Sequence, residues 1–324
     1  MKFGLVLTGV PASSCSPAEQ LRRNIELGVL AETSGFDYLV VGQHFLGAPY
    51  RYLQAVPLIA RLAAETEQIR LSTGILLLSL LQPVEVAEQL ATLDVITEGR
   101  LDCGFGLGYR DVEFQAFGVE RSQRLGRQLE ALEVIEALWT GESVTHHGKF
   151  FHLDDVGCGI VPVQEPRPPI WIAAMTEKST SRAVAAGKIP YIGPRMPVDV
   201  VAERVEDALE HLGSDTVVPV RRELFVSTDP DIWTQASDHI GARFDLYREW
   251  GLERDTAGPE ASFEDYLRDR VVAGSPAECL RTLKRYEQAG TGAVIFRCQW
   301  PNLSHEEVLK MIRLVGEELI PAFA

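Results

Sequence analysis

The fold is decided by residues 69–118, which read IRLSTGILLLSLLQPVEVAEQLATLDVITEGRLDCGFGLGYRDVEFQAFG. The first part of this stretch, Ile69–Leu78, is almost entirely apolar and predicts a strand that is buried on both faces. Apolar side chains then recur at helical spacing from Pro83, and Gly99 stands where a left-handed residue closes a helix. Leu101–Phe105 predicts a second strand. The stretch is therefore one strand–helix–strand unit, whose two strands we expect to be parallel neighbours.

The same alternation of strand and helix continues on both sides of this unit. The predicted strands are Phe3–Leu7, Tyr38–Val41, Ile69–Leu78, Leu101–Phe105, Ile170–Ala174, Pro190–Ile192, Val217–Ser227 and Ala293–Phe296. Eight alternations predict an α/β fold, a single (β/α)8 TIM barrel. The alternative is a doubly wound open sheet, which usually has a GxGxxG turn after its first strand. Here the first strand is followed by Thr8-Gly9-Val10-Pro11, which favours the barrel.

Two segments interrupt the alternation and are predicted to be insertions after strands 4 and 7. Residues 141–169 contain a small predicted hairpin around His146-His147-Gly148. Residues 229–271 are too long for a simple connection and are predicted to hold extra helices over one end of the barrel. The segment Arg110–Glu120 is predicted to be a polar and aromatic loop. We therefore expect one barrel domain over residues 1–324.

Composition and charge limit the partners and the compartment. The net charge of −15 disfavours nucleic acid or an anionic membrane as a partner. The five cysteines are scattered and never form a CxxC pair, which fits a reducing cytosol and argues against a zinc site or a disulfide framework. The apolar start breaks at Gly9–Pro11, too early for a signal peptide, and no apolar run reaches the ~18 residues of a membrane span. These features predict a cytoplasmic protein.

Candidate site residues lie where predicted strands end, because a barrel builds its active site from the loops at the carboxyl ends of its strands. Thr73, Gly74 and Ile75 end strand 3, and the glycine-rich run Gly104–Gly108 ends strand 4. Glycines there let backbone N–H groups close on a phosphate or a ring, or simply form a tight turn. His44 follows strand 2 and is either a proton donor or acceptor, or a structural histidine. Neither pair of alternatives is resolved by these residues alone.

Two helix starts are candidate anion sites. The hydroxyls from Thr176 to Ser181 open the helix after strand 5, where they either bind a phosphate or cap the helix. Gly274-Ser275-Pro276 ranks second, since it is fully explained as a cap, although Arg297 is expected close by. No hydrolase triad, Walker loop or HExxH motif is found, and the candidates suit a flat ligand better than a metal.

In order and spacing, these features resemble the bacterial luciferase-like flavin-dependent oxidoreductase family, whose fold is a (β/α)8 barrel. The matching stretches are Gly35–Phe45, Ile69–Gly74, Pro83–Glu88, Thr92–Asp94, Glu98–Leu101, Gly104–Gly108, Glu113–Gly118, Leu138–Gly141, Pro169–Ala174 and Gly274–Pro276.

The resemblance implies that FMN, or its deazaflavin analogue, binds at the mouth of the barrel. Thr73, Gly74 and Ile75 would then form a bulge behind the ring, often with a cis peptide bond between the last two residues. The run Leu107, Gly108 and Tyr109 would lie near the cofactor phosphate, and Met175, Thr176 and Ser179 would complete its binding site. His44 matches a family histidine and is the candidate catalytic residue. Gln43 and Leu107 depart from residues that some members carry, which puts acid/base assistance and the hold on the phosphate in question.

The implied activity is that of a flavin-dependent monooxygenase, in which a partner reductase supplies reduced FMN and O₂ oxidises a small organic substrate. A deazaflavin-dependent dehydrogenase and a non-catalytic flavin-binding barrel are the alternatives. A homodimer through helices 2 and 3 is also expected, because these helices carry more apolar or small residues than one face needs. Those residues are Leu53, Val56, Leu62, Ala63, Ala64, Val84, Ala87 and Ala91. An ion pair between Asp94 and Arg100 is expected to join helix 3 to strand 4.

Overall fold

The computed structural model describes residues 1–229, 231–250 and 267–323, which form a barrel of parallel strands with helices between them. The strands are β1 (Lys2–Leu7), β2 (Val10–Pro11), β3 (Tyr38–Val41), β4 (Tyr50–Arg51), β5 (Arg70–Thr73), β6 (Leu101–Phe105), β7 (Val144–His147), β8 (His152–Val156), β9 (Ile170–Ala174), β10 (Ile189–Ile192), β11 (Pro219–Val226), β12 (Val271–Gly274) and β13 (Ala293–Arg297). The helices are α1 (Pro17–Thr33), α2 (Ala55–Ala63), α3 (Pro83–Ile96), α4 (Asp111–Ala116), α5 (Arg124–Leu138), α6 (Glu177–Ala185), α7 (Val198–Leu212), α8 (Ile232–Glu249), α9 (Pro276–Gln288) and α10 (His305–Leu314).

The barrel is closed, as the sequence predicts. Its eight strands follow the order β10-β9-β6-β5-β3-β1-β13-β11, and β10 pairs with β11 through Ile192 and Val220. Every pairing between these strands is parallel, as expected for strands that are each followed by a crossover helix. The strand β12 is additional and pairs with the last residues of β11. It was missed in the sequence because four residues are too few to show a period of two.

Strand 3 is shorter than predicted. The strand β5 ends at Thr73, and residues Leu78–Leu80 form a 3-10 turn. The apolar side chains beyond Thr73 are buried all the same: Leu76 and Leu78 belong to the main core, while Leu77 and Leu80 pack with Phe114. An apolar run reports burial, and burial alone does not distinguish a strand from a buried turn.

The segment predicted to be a loop over residues 110–120 contains a helix. The helix α4 buries Glu113 and Phe114 while its other side chains remain largely exposed. A helix of six residues shows too little periodicity to be recognised in the sequence. As a result, Glu113, which belongs to the segment predicted to be a polar loop, lies inside the protein.

The two segments predicted to be insertions contain a hairpin and a helix within the described residues. In the first, β7 and β8 form an antiparallel hairpin, in which His146 and His147 belong to β7 rather than to the turn. In the second, α8 packs against β11 and β12, while residues 251–266 lie outside the described part of the chain. Within the described residues, no helix is both long and apolar enough to cross a membrane.

Two expectations about helices 2 and 3 need correction. Of the eight predicted interface residues, Leu62, Ala63, Ala87 and Ala91 are buried within the chain itself, where they belong to the main core, whereas Val84 is 39% exposed. Asp94 does not pair with Arg100, because both side chains have other partners. The Arg100 guanidinium instead donates to the carbonyl oxygens of residues 63, 66, 69 and 97.

Candidate functional site

The backbone at Gly74–Ile75, between the ends of β5 and β6, forms one side of the mouth of the barrel and is called the shelf below. The peptide bond between Gly74 and Ile75 is cis, as the family resemblance implies. A Cβ on Gly106 would lie 2.4 Å from Ile75 Cδ1, so the glycine allows the Ile75 side chain to cross the end of β6. The Thr73 hydroxyl is buried and bonds to Gly104, accepting from its N–H at 2.7 Å and donating to its C=O at 2.9 Å. Thr73 therefore supports the shelf from below.

The run that ends β6 is fixed to the neighbouring chain. The Ser79 hydroxyl donates to the Leu107 carbonyl at 2.8 Å, and Gly108 adopts a left-handed conformation with φ 70°. Leu107, Gly108 and Tyr109 are all half-buried, so they line the mouth next to the shelf. Two of the sequence-predicted groups, at the ends of β5 and β6, are thus brought together.

His44 is held by a carboxylate that the sequence analysis did not single out. Its Nδ1 lies 2.9 Å from Glu113 Oε1, and Glu113 is fully buried. Because a carboxylate only accepts, Nδ1 carries the proton that it donates to Glu113. The other ring nitrogen, Nε2, lies 3.4 Å from the Tyr109 hydroxyl. The arrangement fixes the tautomer and orientation of a histidine at the mouth.

Glu113 is itself held firmly on one oxygen. Oε1 also accepts from the Phe45 N–H at 2.9 Å and lies 3.5 Å from Arg110 Nη1. Oε2 is buried and has no hydrogen-bond partner. The sequence signal that could have identified Glu113 is its place at the start of the matching stretch Glu113–Gly118.

Aromatic rings enclose His44. Tyr52, Tyr109 and Trp250 each present an edge-to-face contact, with ring centroids 5.1, 5.5 and 5.4 Å from that of His44. The Arg110 guanidinium lies over Trp250 at 4.1 Å. These rings limit the access of water to the histidine, which strengthens its hydrogen bond to Glu113.

Gln43, the residue that departs from the family pattern, has a structural role. Its amide oxygen accepts from the Leu77 N–H at 3.2 Å, and its amide nitrogen donates to Gln54 Oε1 at 3.1 Å. Gln54 in turn donates to the His44 carbonyl at 3.2 Å. Gln43 thus connects β3 to the segment after the shelf and to the start of α2.

Thr176 and Ser179 form a capping box at the start of α6. The Thr176 hydroxyl accepts from the Ser179 N–H, and the Ser179 hydroxyl accepts from the N–H groups of Met175 and Thr176. Thr176 is exposed, while Met175 and Ser179 are half-buried. The two hydroxyls already satisfy backbone donors at the helix start, and a phosphate would add to these bonds rather than find unused groups.

The second-ranked anion site also proves to be a helix cap. Ser275 accepts from the Glu278 N–H at the start of α9, and Glu278 receives the Ser275 N–H in return. Hydrogen bonds from Ser275 hold the pKa of Glu278 below its usual range. Arg297 lies at the end of β13, buried and paired with Glu223 on β11 at 2.6 and 2.7 Å.

A flat ring with a phosphate tail fits these residues. The shelf supplies a surface built from backbone and one isoleucine, and His44 and the aromatic rings stand beside it. Buried polar atoms near this mouth, Glu113 Oε2 and Tyr191 Oη, have no hydrogen-bond partner. Buried polar groups without a partner call for a ligand or water to complete them.

Comparisons with known proteins match most of the chain or all of it. The family described as luciferase-like monooxygenase matches residues 1–292. The oxygenase component of flavin-dependent trigonelline monooxygenase from Acinetobacter baylyi is 27% identical, over 100% of this chain and 96% of its own length. An F420-dependent glucose-6-phosphate dehydrogenase from Microbacterium testaceum is also 27% identical, over 92% of each chain. The crystal structure of the monooxygenase RslO1 from Streptomyces bottropensis matches the whole fold with a TM-score of 0.88 and 24% identity, covering 100% of both chains.

Proposed function

Because the chain belongs to the luciferase-like monooxygenase family, we propose that it is a flavin-dependent monooxygenase acting on a small organic substrate with reduced FMN and O₂. The observation that carries the proposal is the mouth itself, where a backbone shelf lies beside a histidine held by a buried glutamate. Similarity to the trigonelline oxygenase component along the whole chain supports oxygenation. That relative is one component of a system, so we expect a separate reductase to deliver reduced FMN here as well.

Different residues of the mouth would hold the ring and the phosphate of the cofactor. Ile75 and the Gly74–Ile75 peptide would lie against the ring, and the Leu107–Tyr109 run with Thr176 and Ser179 would face the phosphate. Bound reduced FMN supplies two electrons to O₂, so that one oxygen atom enters the substrate and the other leaves as water. The protein provides position, exclusion of water and protons.

His44 is the group that moves a proton. Its Nδ1–H is fixed by Glu113, which leaves the Nε2 lone pair to accept a proton at the mouth and to return it. The Glu113 carboxylate stabilises the imidazolium that forms in between. Glu113 acts through His44 and is a positioning residue, whereas His44 is the proposed catalytic residue.

The experiment that tests the function measures how the chain changes the reaction of reduced FMN with O₂. Reduced FMN is generated anaerobically, mixed with increasing amounts of the chain and then with O₂, while flavin absorbance and peroxide release are followed. We expect a saturable change in the reoxidation rate and less free peroxide. Reoxidation indistinguishable from that of free reduced FMN, at chain concentrations far above the flavin, contradicts the proposal.

A deazaflavin-dependent dehydrogenase is the second candidate function. The observation that favours it is the His44–Glu113 pair. Oxidation of an alcohol by hydride transfer needs a base for the hydroxyl proton, and His44 Nε2 is placed to be one. The similarity to an F420-dependent dehydrogenase points the same way. Tight binding of reduced F420 without binding of FMN, and substrate oxidation in the absence of O₂, would establish this function in place of the first.

We also propose a homodimer, through an exposed face of α3 that includes Val84, one of the interface residues predicted from the sequence. Val84, Val95 and Ile96 on α3, with Val163 beside them, are 39–53% exposed and form an apolar face. A two-fold axis would bury the same face on both subunits. Substituting Val95 and Ile96 by glutamate should give a monomeric mass by light scattering, while V156E on the hairpin, where Val156 is 41% exposed, should not. A cytoplasmic location is expected from the five free cysteines.

A further inference from the structure

We propose that Arg222 is a positioning residue for the cofactor: it fixes residues 193–196 at the mouth, and these in turn hold Met175 at the phosphate end of the flavin. Residues 193–196 begin the connection between β10 and α7 and are called the β10 loop below. The inference rests on the proposed function for the identity of the cofactor. That Arg222 fixes the loop follows from its own contacts.

Arg222 is an arginine in an apolar part of the fold. It is fully buried on β11, where it shares its face with Val220 and Leu224, because side chains alternate along a strand. Both of these neighbours belong to the main core, together with residues of the surrounding helices. A buried guanidinium needs hydrogen-bond acceptors for its N–H groups, so its partners indicate its role.

The guanidinium of Arg222 bridges the two ends of the β10 loop. Nη1 donates to the Gly193 carbonyl at 3.0 Å, and Nη2 donates to the Met196 carbonyl at 3.0 Å. Nη1 also donates to the Arg221 carbonyl at 2.8 Å, and Nε donates to the Tyr286 hydroxyl on α9. Because a guanidinium is planar and its donors have fixed directions, Arg222 sets the separation of the two loop carbonyls.

The β10 loop lies at the mouth, next to the candidate phosphate site. The strand β10 is parallel to β9, so the loop follows the carboxyl end of its strand, as the start of α6 does on the neighbouring strand. The Gly193 N–H donates to the Ala174 carbonyl at 3.0 Å, at the end of β9. Thr176, where the phosphate is proposed to bind, is two residues beyond Ala174.

Met175 connects the loop to this helix start. A Cβ on Gly193 would lie 2.0 Å from Met175 Sδ, so the methionine side chain occupies the space that the glycine leaves open. The Met175 N–H donates to the Ser179 hydroxyl at 3.1 Å, within the capping box of α6. Closely packed side chains transmit displacements, so a shift of the Gly193 backbone should move Met175 and the helix start together.

A second arginine holds the middle of the loop. Arg270 Nε donates to the Arg195 carbonyl at 3.2 Å, and the Arg195 guanidinium lies 4.5 Å from the ring of Phe244 on α8. Arg270 thus acts on one carbonyl, whereas Arg222 acts on both ends of the loop. Removing the Arg222 bridge is therefore the change that should release the loop from β11.

Lysine at position 222 is the sharpest variant, because it keeps the positive charge and loses the bridge. A lysine ammonium is a compact donor and does not reproduce the rigid fork of a guanidinium. The matched control is R100K at the base, where the Arg100 guanidinium also donates to backbone carbonyls, those of residues 63, 66, 69 and 97. Both variants should lower the midpoint of thermal unfolding, but only R222K should alter the mouth.

The first measurement needs no flavin. The chain has four methionines, of which Met175 and Met196 lie at the β10 loop and Met311 lies on α10. With isotope-labelled methionine methyl groups, R222K should shift the NMR signals of Met175 and Met196 and leave that of Met311 unchanged. R100K should leave both loop signals in place, and M175L and M196L assign them. Unchanged loop signals in R222K would overturn the proposal.

The second measurement is a titration with FMN, followed by flavin fluorescence. We expect R222K to bind FMN at least tenfold more weakly than the unmodified chain and R100K to bind it equally well. R222A leaves space for a free guanidinium ion, so millimolar guanidinium chloride should restore FMN affinity to R222A and leave that of R100A unchanged. A purely structural arginine would give no such difference. Circular dichroism shows whether each variant is folded, and R222K carries the test if R222A is not.

The two measurements separate the possible failures. If R222K shifts the Met175 signal and binds FMN as tightly as R100K does, Arg222 fixes the loop without positioning the cofactor, and the proposal is overturned. If the unmodified chain binds neither FMN nor F420, the proposed function fails and the role toward the cofactor fails with it. The methyl signals then still decide whether Arg222 fixes the β10 loop.

Discussion

Asp94 and Glu113 are both fully buried carboxylates, one at the base of the barrel and one at its mouth, and they differ in how they are satisfied. Both Asp94 oxygens are used: Oδ2 accepts from the N–H groups of Val163 and Gln164, and Oδ1 accepts from the Gln164 side chain. Glu113 receives all its hydrogen bonds on Oε1 and leaves Oε2 without a partner.

The difference shows what each end of the barrel does. At the base, Asp94 ties α3 to the segment that leads into β9, and Glu32 accepts from three consecutive N–H groups before β5. These bonds close the barrel and have no need of a ligand. At the mouth, Glu113 and Tyr191 retain buried polar atoms without partners, which a ligand at the proposed site would complete. Stability at the base and function at the mouth is the general division in barrels of this fold.

The largest effect is expected from removing the carboxylate of Asp94, which tests whether the base of the barrel has a purely structural role. D94A would leave three donors without an acceptor, each costing about 1–3 kcal/mol when buried, so we expect a loss of at least about 3 kcal/mol in the free energy of unfolding. D94N keeps one acceptor oxygen and should lose less. Urea denaturation measures both. If either variant lost FMN affinity while keeping its stability, the base would not be purely structural.

The proposed roles of His44 and Glu113 at the mouth are tested with H44Q, E113Q and the double variant. H44Q should lower turnover by about 100-fold, as expected for loss of a general acid or base. E113Q should lower it by less, since the glutamine oxygen can still accept from His44. Because Glu113 acts through His44, the double variant should be no slower than H44Q alone. Additive losses in steady-state kinetics would show that Glu113 has a role of its own.

The start of α6 tests whether a helix cap at the mouth also binds the cofactor. T176A with S179A should weaken FMN by roughly 1–3 kcal/mol, through lost hydrogen bonds to a charged group. The matched control is S304A, which removes the same type of cap from α10. Both changes should lower the thermal midpoint, but only the first should alter FMN affinity in a fluorescence titration. Equal FMN affinity in the two proteins would place the phosphate elsewhere.

The smallest expected effect is a pH dependence at the base. Burial raises the pKa of Asp102 to about 6, against the opposing effect of Arg70, whose Nε lies 2.7 Å from it. A carboxyl whose folded-state pKa lies above its unfolded value stabilises the fold below the unfolded pKa, and this contribution is lost as the pH rises through the folded pKa. Between pH 5 and 7 the unmodified chain should therefore lose about 1 kcal/mol relative to D102N.

Urea denaturation of both proteins across this pH range provides the measurement. FMN affinity should not follow the same curve, because Asp102 lies at the base. A stability difference that is constant with pH would mean that Arg70 keeps Asp102 ionised throughout. A change in FMN affinity that follows the same pH curve would mean that the base and the mouth of the barrel are energetically coupled.

Local sequence determined the elements and their order. The apolar pattern predicted all eight barrel strands, because a strand buried between helices must be apolar over its own length. The start of α1 at Pro17 behind Ser16 is local as well, since the cap is made within four residues. The segments Gly74–Ile75 and the run after β6 were each identified as candidate site segments from neighbouring residues in the sequence, and the structure brings them together.

Only the tertiary structure decided which charged groups meet. His44 and Glu113 are 69 positions apart, Arg297 and Glu223 are 74 apart, and Asp94 found its partners 69 and 70 positions away rather than at Arg100. Periodicity tells which side of an element is buried, but the partner of a buried charge depends on the register between strands and on where a short helix such as α4 is placed. These long-range pairings, which no local pattern encodes, are what distinguish the mouth of this barrel from its base.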